Sequence, residues 1–203
     1  MANTAICIDL ETLDTLPSAT ILTIGAVKFD PHGNESVDNQ MEPFYVKVDL
    51  ASCEPYNLSI SNETIAWWAK QGTEAHNEAF EGTDRIPIED AMHQLFLFAR
   101  GCKTFWSHGA GFDIIICEHL FRQVGRAIPW KYHEIRDTRT IYDLGIDPDF
   151  PEIEVKHHAL QDAYAEAIAV QNVFRKIDAL QAPTEKPIVE PLHFPPSITD
   201  NIV

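Results

Sequence analysis

The sequence predicts an α/β fold: a mixed five-stranded sheet, three antiparallel strands followed by two parallel ones, flanked by helices. Three observations carry this. Two β-rich runs and a third shorter one come first in the chain. Strand-like and helix-like segments then alternate from about residue 100. No apolar run, such as Leu95 to Ala99 or Ile114 to Cys117, approaches the roughly 20 residues that span a bilayer.

Residues 4–10 (Thr-Ala-Ile-Cys-Ile-Asp-Leu) and 20–29 are rich in β-formers and are separated by the turn-prone stretch Asp14 to Ser18. A third strand is expected over Phe44 to Val48, after the Pro31-His-Gly-Asn turn signal. Ser61-Asn-Glu-Thr then opens a helix carrying Ile65, Trp68 and Ala69. Pro87 to Ala99 repeats apolar side chains at Ile88, Ala91, Met92, Leu95 and Phe98, which is the helical period. Lys103-Thr-Phe-Trp-Ser reads as the fourth strand. A glycine-containing turn follows, then a helix with Cys117, Leu120, Phe121 and Val124 on one face, closed by Gly125. His133 to Asp137 is the fifth strand, with a small helix near Thr140. Ala159 to Ile177 forms a long helix with Ala163, Ala167, Val170, Phe174 and Ile177 on one stripe. This order is that of the ribonuclease H-like architecture, although the pattern alone also fits other α/β folds.

At 203 residues the chain suits one sizeable core. We read residues 1–181 as one domain and 182–203, which holds five of the 13 prolines, as a Pro-rich C-terminal tail. Four scattered cysteines without a C-x-x-C, two of them inside apolar segments, read as buried free thiols rather than disulfides or a zinc site. The start shows neither a basic n-region with an apolar stretch nor an Arg-rich transit pattern, so a cytoplasmic location is expected, with no membrane partner. A net charge of -16 argues against broad electrostatic capture of nucleic acid. The balance is uneven, however. Arg100 to Arg139 contains seven Lys/Arg against four Asp/Glu, or +3, leaving -19 elsewhere, so one face can still accept a phosphate backbone.

Chemistry concentrates in three places. Asp9 and Glu11 stand at i and i+2 on the first strand, so both carboxylates emerge on one face and can grip one metal; a strand surfacing into its turn would look the same. Asp113 follows a glycine-rich turn and opens a helix, where the helix dipole favours negative charge, as it would for a plain N-cap. His157 and Asp162, five apart, fall about 140° apart on a helix, which puts His157 on the entering loop and Asp162 in the first turns. A surface histidine pair beside a solvated aspartate is the bland alternative.

Taken together, Asp-x-Glu, Phe-Asp and His-x4-Asp resemble the DnaQ-like (DEDDh) 3′-to-5′ exonucleases in order and spacing. The stretches Asp9-Leu-Glu-Thr-Leu-Asp-Thr, Ile24-Gly-Ala-Val, Trp67-Trp68 with Gln71, and Arg136-Asp-Thr-Arg-Thr resemble the branch of phage exodeoxyribonuclease A and a mycobacterial 3′-to-5′ exoribonuclease. The likeness spans roughly residues 5 to 178. It departs at Ser107-His108, where Gly-Asn is expected, and at Ile114.

The resemblance implies a two-metal-ion exonuclease that hydrolyses phosphodiester bonds of DNA or RNA from the 3′ end and releases 5′-mononucleotides. Its two Mg²⁺ or Mn²⁺ ions would lie about 3.5 to 4 Å apart. Asp9 would bridge them, Glu11 and Asp162 would complete the nucleophile side, and Asp113 would hold the second ion mainly through water. His157, aligned by its spacing to Asp162 and leaving His158 as spacer, would be the general base. Carboxylates suit these hard cations. The implied partner is a nucleic acid with a free 3′ end, single-stranded or 3′-overhang DNA or RNA; a homodimer is one assembly left open. Trp67 or Trp68 could stack a base, with at least one of them in the core. Arg136, Arg139, Arg122, Arg126, Lys131 and Lys103 are candidates for phosphate contacts, although for most of them taken singly solvated surface charge is the reading to prefer. Asp137 could orient a ligand or simply cap the next helix. Two other readings stand beside this one: a catalytically weak nucleic-acid- or protein-binding module on the same fold, and a phosphoesterase of small nucleotides, which the acidic surface would suit.

Overall fold

The structure, a computed structural model, describes residues 4–34 and 41–181; the Pro-rich tail lies outside the described residues. Five strands form one sheet: β1 (Ala5–Thr12), β2 (Ile21–Phe29), β3 (Glu42–Lys47), β4 (Thr104–Ser107) and β5 (Ile135–Asp137), in the order β3-β2-β1-β4-β5. The β1–β2 and β2–β3 pairings are antiparallel and the β1–β4 and β4–β5 pairings parallel, as the element order predicts.

The helices are α1 (Asn62–Trp68), α2 (Thr73–Phe80), α3 (Ile88–Ala99), α4 (Asp113–Gln123), α5 (Thr138–Tyr142) and α6 (Ala159–Leu180). Ser61 starts α1 as expected, its hydroxyl accepting from the backbone N–H groups of Glu63 and Thr64. The helix α2 and a 3-10 turn at Leu50–Tyr56 have no counterpart in the sequence reading. The reason is composition: α2 buries only Ala75 and Ala79, too little for an apolar stripe to show.

Side chains alternate across β1, so its two faces build two different layers. Ile6, Ile8 and Leu10 enter the main core with Met92 and Leu95 of α3 and Ile114, Cys117 and Leu120 of α4. Ala5 and Cys7 face the other way, onto Ala163, Ala167 and Val170 of α6. The same alternation carries Asp9 and Glu11 onto the α6 face.

Gly25 decides how close α6 comes. It sits opposite Asp9 in the β1–β2 register. A Cβ built on it would lie 2.1 Å from the carbonyl carbon of Ala159 and 2.2 Å from the nitrogen of Leu160. The first turn of α6 therefore rests directly on the sheet backbone beside Asp9, a contact only glycine permits. Among the described residues no helix is long and apolar enough to cross a membrane, and all four cysteines are free, three of them buried.

Candidate active site

The five expected residues converge on one cleft of about 980 Å³, which Asp9, Glu11, Asp113, His157 and Asp162 all line. One ligand atom each from Glu11, His157 and Asp162 lies within 4.8 Å of the others. Glu11 comes from the end of β1 and Asp162 from the first turn of α6, brought together by the close approach at Gly25.

Asp113 arrives from the opposite layer. β1 pairs with β4 only from Ala5 to Cys7, so β1 runs on beyond its neighbour. The N–H of Leu10 donates instead to Asp113 Oδ1 at 3.2 Å. The carboxylate thus plugs the end of the parallel pairing, 2% exposed, at the start of α4.

Such crowding has an electrostatic consequence. Burial, and then the charges of Asp113, Glu11, Glu166 and Asp162, push the Asp9 carboxyl well above the usual range. Burial and the neighbouring Asp162 and Asp113 push Glu11 up to about 8. Burial raises Asp113 to about 7 against the opposing pull of backbone N–H groups and Arg139. Asp162 is also raised by burial, offset by His157 and His158. Carboxylates so placed are stable as anions only with positive charge among them, and their set of oxygen donors fits a hard divalent cation.

The adjacent histidines separate cleanly. His157 adopts a left-handed backbone (φ 60°), which histidine tolerates better than most side chains. Its ring packs edge-on against Trp67 and Trp68, at 4.8 and 6.2 Å between centroids. His158 points elsewhere: its Nε2 lies 3.8 Å from Glu78 Oε1 and its ring 4.7 Å from that of Tyr45. Only His157 enters the cleft. The tryptophans separate too. Trp68 is 2% exposed and donates its Nε1–H to the Thr12 carbonyl at 2.9 Å, whereas Trp67 is 41% exposed. Trp67 also lines an adjoining groove of about 940 Å³ with Leu16, Ile60 and Phe112.

Of the six basic residues expected to meet phosphates, only Arg139 lines the cleft, and Lys156 joins it. Gly109, at φ 111°, leaves room for Arg139, whose Nη1 would lie 2.3 Å from a Cβ there. Arg136 instead donates to the carbonyls of His133 and Ile135 at 2.8 Å each. Arg122 pairs with Glu118. Asp137 caps α5 through the N–H of Arg139 and accepts from the N–H of Ala110, both at 2.9 Å, so it has the structural role.

The sixteen residues between Tyr142 and Ala159 form neither helix nor strand, yet they supply Phe150, Pro151, Ile153, Lys156 and His157 to the cleft. They are laced to α6: Asn172 donates to the carbonyls of Pro148 and Asp149, and Gln161 accepts from the N–H groups of Glu154 and Val155.

Sequence reasoning missed Lys156 and Glu166. Glu166 lies on α6 one turn beyond Asp162, 7% exposed, and its Oε2 accepts from the Cys7 thiol at 3.2 Å. A signal was there: an acid four residues after Asp162, inside a run of alanines.

A family profile described as the 3'-5' exoribonuclease Rv2179c-like domain matches residues 4–174. Among curated proteins, none matches. Of solved structures, the zinc-bound E. coli ExoI–ssDNA complex gives a TM-score of 0.59 at 14% identity, covering 89% of this chain and 42% of that one. E. coli exonuclease I with a dA16 oligonucleotide gives 0.58 at 15%, covering 89% and 43%. S. pombe Pop2p, in its Mg²⁺- and Mn²⁺-bound form, gives 0.50 at 15%, covering 87% and 83%. The chain spans less than half the length of exonuclease I, and at these identities the likeness is one of fold, the ribonuclease H-like one expected from the element order. A homodimer finds no support in these likenesses.

Proposed function

The chain belongs to the 3'-5' exoribonuclease Rv2179c-like domain family, and from that premise we propose that it is a metal-dependent 3′-to-5′ exonuclease, removing 5′-mononucleotides from the 3′ end of a nucleic acid by a two-metal-ion reaction. RNA is the substrate that the family description names. The observation that carries the reading is the meeting of Glu11, His157 and Asp162 within 4.8 Å, beside half-buried Asp9 and buried Asp113.

Asp9, Glu11 and Asp162 would hold one Mg²⁺ or Mn²⁺, and Asp9 with Asp113 a second. When bound, the pair supplies the charge that activates a water and stabilises the departing 3′ oxygen. The rest is the work of this chain. His157, held between Trp67 and the Asp162 carboxylate, takes the water's proton on a ring nitrogen, the general-base task to which imidazole is suited. Arg139 and Lys156 meet the phosphates, and the exposed face of Trp67 is the place for the terminal base.

The test is incubation of the purified protein with 3′-recessed, 3′-overhanging and single-stranded RNA and DNA, each with Mg²⁺, Mn²⁺ or EDTA. Stepwise shortening from the 3′ end with either metal, and none in EDTA, is expected. Ends left intact in magnesium and manganese alike would overturn the reading. With two cations lining the cleft, a small-nucleotide phosphoesterase is the second reading; it predicts cleavage of a dinucleotide while longer strands survive.

A further inference from the structure

The geometry points to Glu166 as a fifth carboxylate ligand of the bound cations, lining the cleft from the Cys7 side of Asp9. This rests on the two-metal reading above and adds to it a residue that the four-acid motif does not contain.

The placement follows from how α6 crosses β1. Asp162 meets Glu11, with ligand atoms within 4.8 Å, and Glu166 meets Cys7, with Oε2 at 3.2 Å from Sγ. Cys7, Asp9 and Glu11 share one face of β1, so Asp9 lies between the points where the two helix acids touch the strand. One helix turn rises about 5.4 Å, whereas four residues of strand span about 13 Å. The two acids therefore bracket Asp9 rather than overshoot it. Asp9 then has an acid of α6 on either side of it along the strand, Asp162 towards Glu11 and Glu166 towards Cys7.

Burial makes a passive role costly. Glu166 is 7% exposed on a helix face otherwise made of Ala159, Ala163, Ala167 and Val170. A carboxylate in such a face is unfavourable unless it is paired. Its Oε2 has only a thiol, a weak donor, and its Oε1 faces His108 Nδ1 at 3.9 Å, beyond hydrogen-bond length. His108 offers little charge, because burial and Arg139 lower its pKa. Burial above all pushes Glu166 up to about 8, with the charges of Asp113 and Asp162 adding to it, against the opposing hydrogen bond from Cys7 and the charge of Arg139. The demand for a cation at this end of the row is thus unmet by the side chains around it.

The test is Mn²⁺ binding to the full chain, read by titration calorimetry and by the loss of free Mn²⁺ signal in electron paramagnetic resonance. The wild type is expected to bind two ions. Glu166→Gln, which keeps the shape and the thiol contact, is expected to weaken one of the two at least tenfold and spare the other. Glu166→Asp, which keeps the charge but withdraws it by one methylene, is expected to weaken the same ion to an intermediate degree. Two ions bound with wild-type affinity by Glu166→Gln would overturn the assignment. So would Glu166→Asp binding as well as wild type, since that is the mark of a charge acting through space. If the wild type binds two ions and cleaves RNA but Glu166→Gln is unaltered, this inference alone fails; if the wild type binds none, the two-metal reading fails with it.

Discussion

Replacing Gly25 by alanine tests whether the approach of α6 to the sheet holds the site together. The added Cβ would sit 2.1 Å from the Ala159 carbonyl carbon, in backbone on both sides. Ordinary contact begins near 3.4 Å, so the first turn of α6 must retreat by about 1.3 Å or the strand must buckle by as much. Overpacking of this kind costs about 1 to 3 kcal/mol, or roughly 2 to 12 °C in Tm for a chain of this size. The larger effect is on activity. Asp162 lies three residues past Ala159 and moves with it, away from Glu11 and His157. A misplacement of about 1 Å in a catalytic constellation costs on the order of 100-fold in rate. The assays are thermal unfolding and release of mononucleotides from a labelled oligoribonucleotide with Mn²⁺. A Gly25→Ala protein that melts with the wild type and cleaves at its rate would refute the claim that this contact positions the metal ligands.

Asp9→Asn and Asp162→Asn should each abolish hydrolysis while circular dichroism stays native; a turnover within tenfold of wild type in either would remove that residue from the metal set. His157→Ala should lower kcat by roughly 100- to 10,000-fold, whereas His158→Ala, which loses the Glu78 and Tyr45 contacts, should lower Tm and leave the pH–rate profile unchanged; equal kinetic effects would contradict the division seen between them. Without metal, Tm should fall as pH rises from about 5 to about 8. Glu11 and Asp113 take up protons in the folded state at pH values where the unfolded chain has lost them, so the folded state binds the excess and is favoured at the acid end. Each tenfold change in proton affinity is worth about 1.4 kcal/mol, roughly 3 to 6 °C. Mn²⁺ should restore the loss at pH 8 and add little at pH 5, and a metal-free Tm that climbs over this window would contradict the burial of these acids. With Arg139 and Lys156 the basic side chains that line the cleft, log kcat/KM on single strands should fall with log salt with a slope of about -1.4; a slope steeper than about -4 would mean a phosphate path the cleft does not contain.

How far the site was legible depended on the kind of backbone each residue sits on. Asp9 and Glu11 could be placed on one face from strand alternation alone, because apolar neighbours marked β1 clearly. Asp113 and Asp162 could not, since an acid at a helix start looks the same whether it caps or binds; only the combined order of motifs set them apart. Glu166 went unread for the opposite reason. Its spacing from Asp162 put it on the sheet-facing stripe, but a stripe read for apolar residues passes over the one acid within it. Asp137 was left open in the sequence and turned out to cap α5, a distinction that rests on hydrogen bonds to Ala110 and Arg139. Most of the candidate basic residues lie off the cleft, as solvated surface charge would, because a local excess of Lys and Arg says nothing about direction: Arg136 turns back onto its own backbone and Arg122 onto Glu118.

The irregular stretch between α5 and α6 gives the molecule two independently adjustable halves. The acids are seated on a strand and two helices, where a shift in any one disturbs the fold. Phe150, Ile153 and Lys156, which line the cleft beside the acids, are hung on a connector tied to α6 mainly through backbone carbonyls and N–H groups. Those ties are indifferent to which side chains the connector carries. Substitution at Phe150, Ile153 or Lys156 should change what the cleft admits while the acids, and His157 at the connector's far end, keep their places.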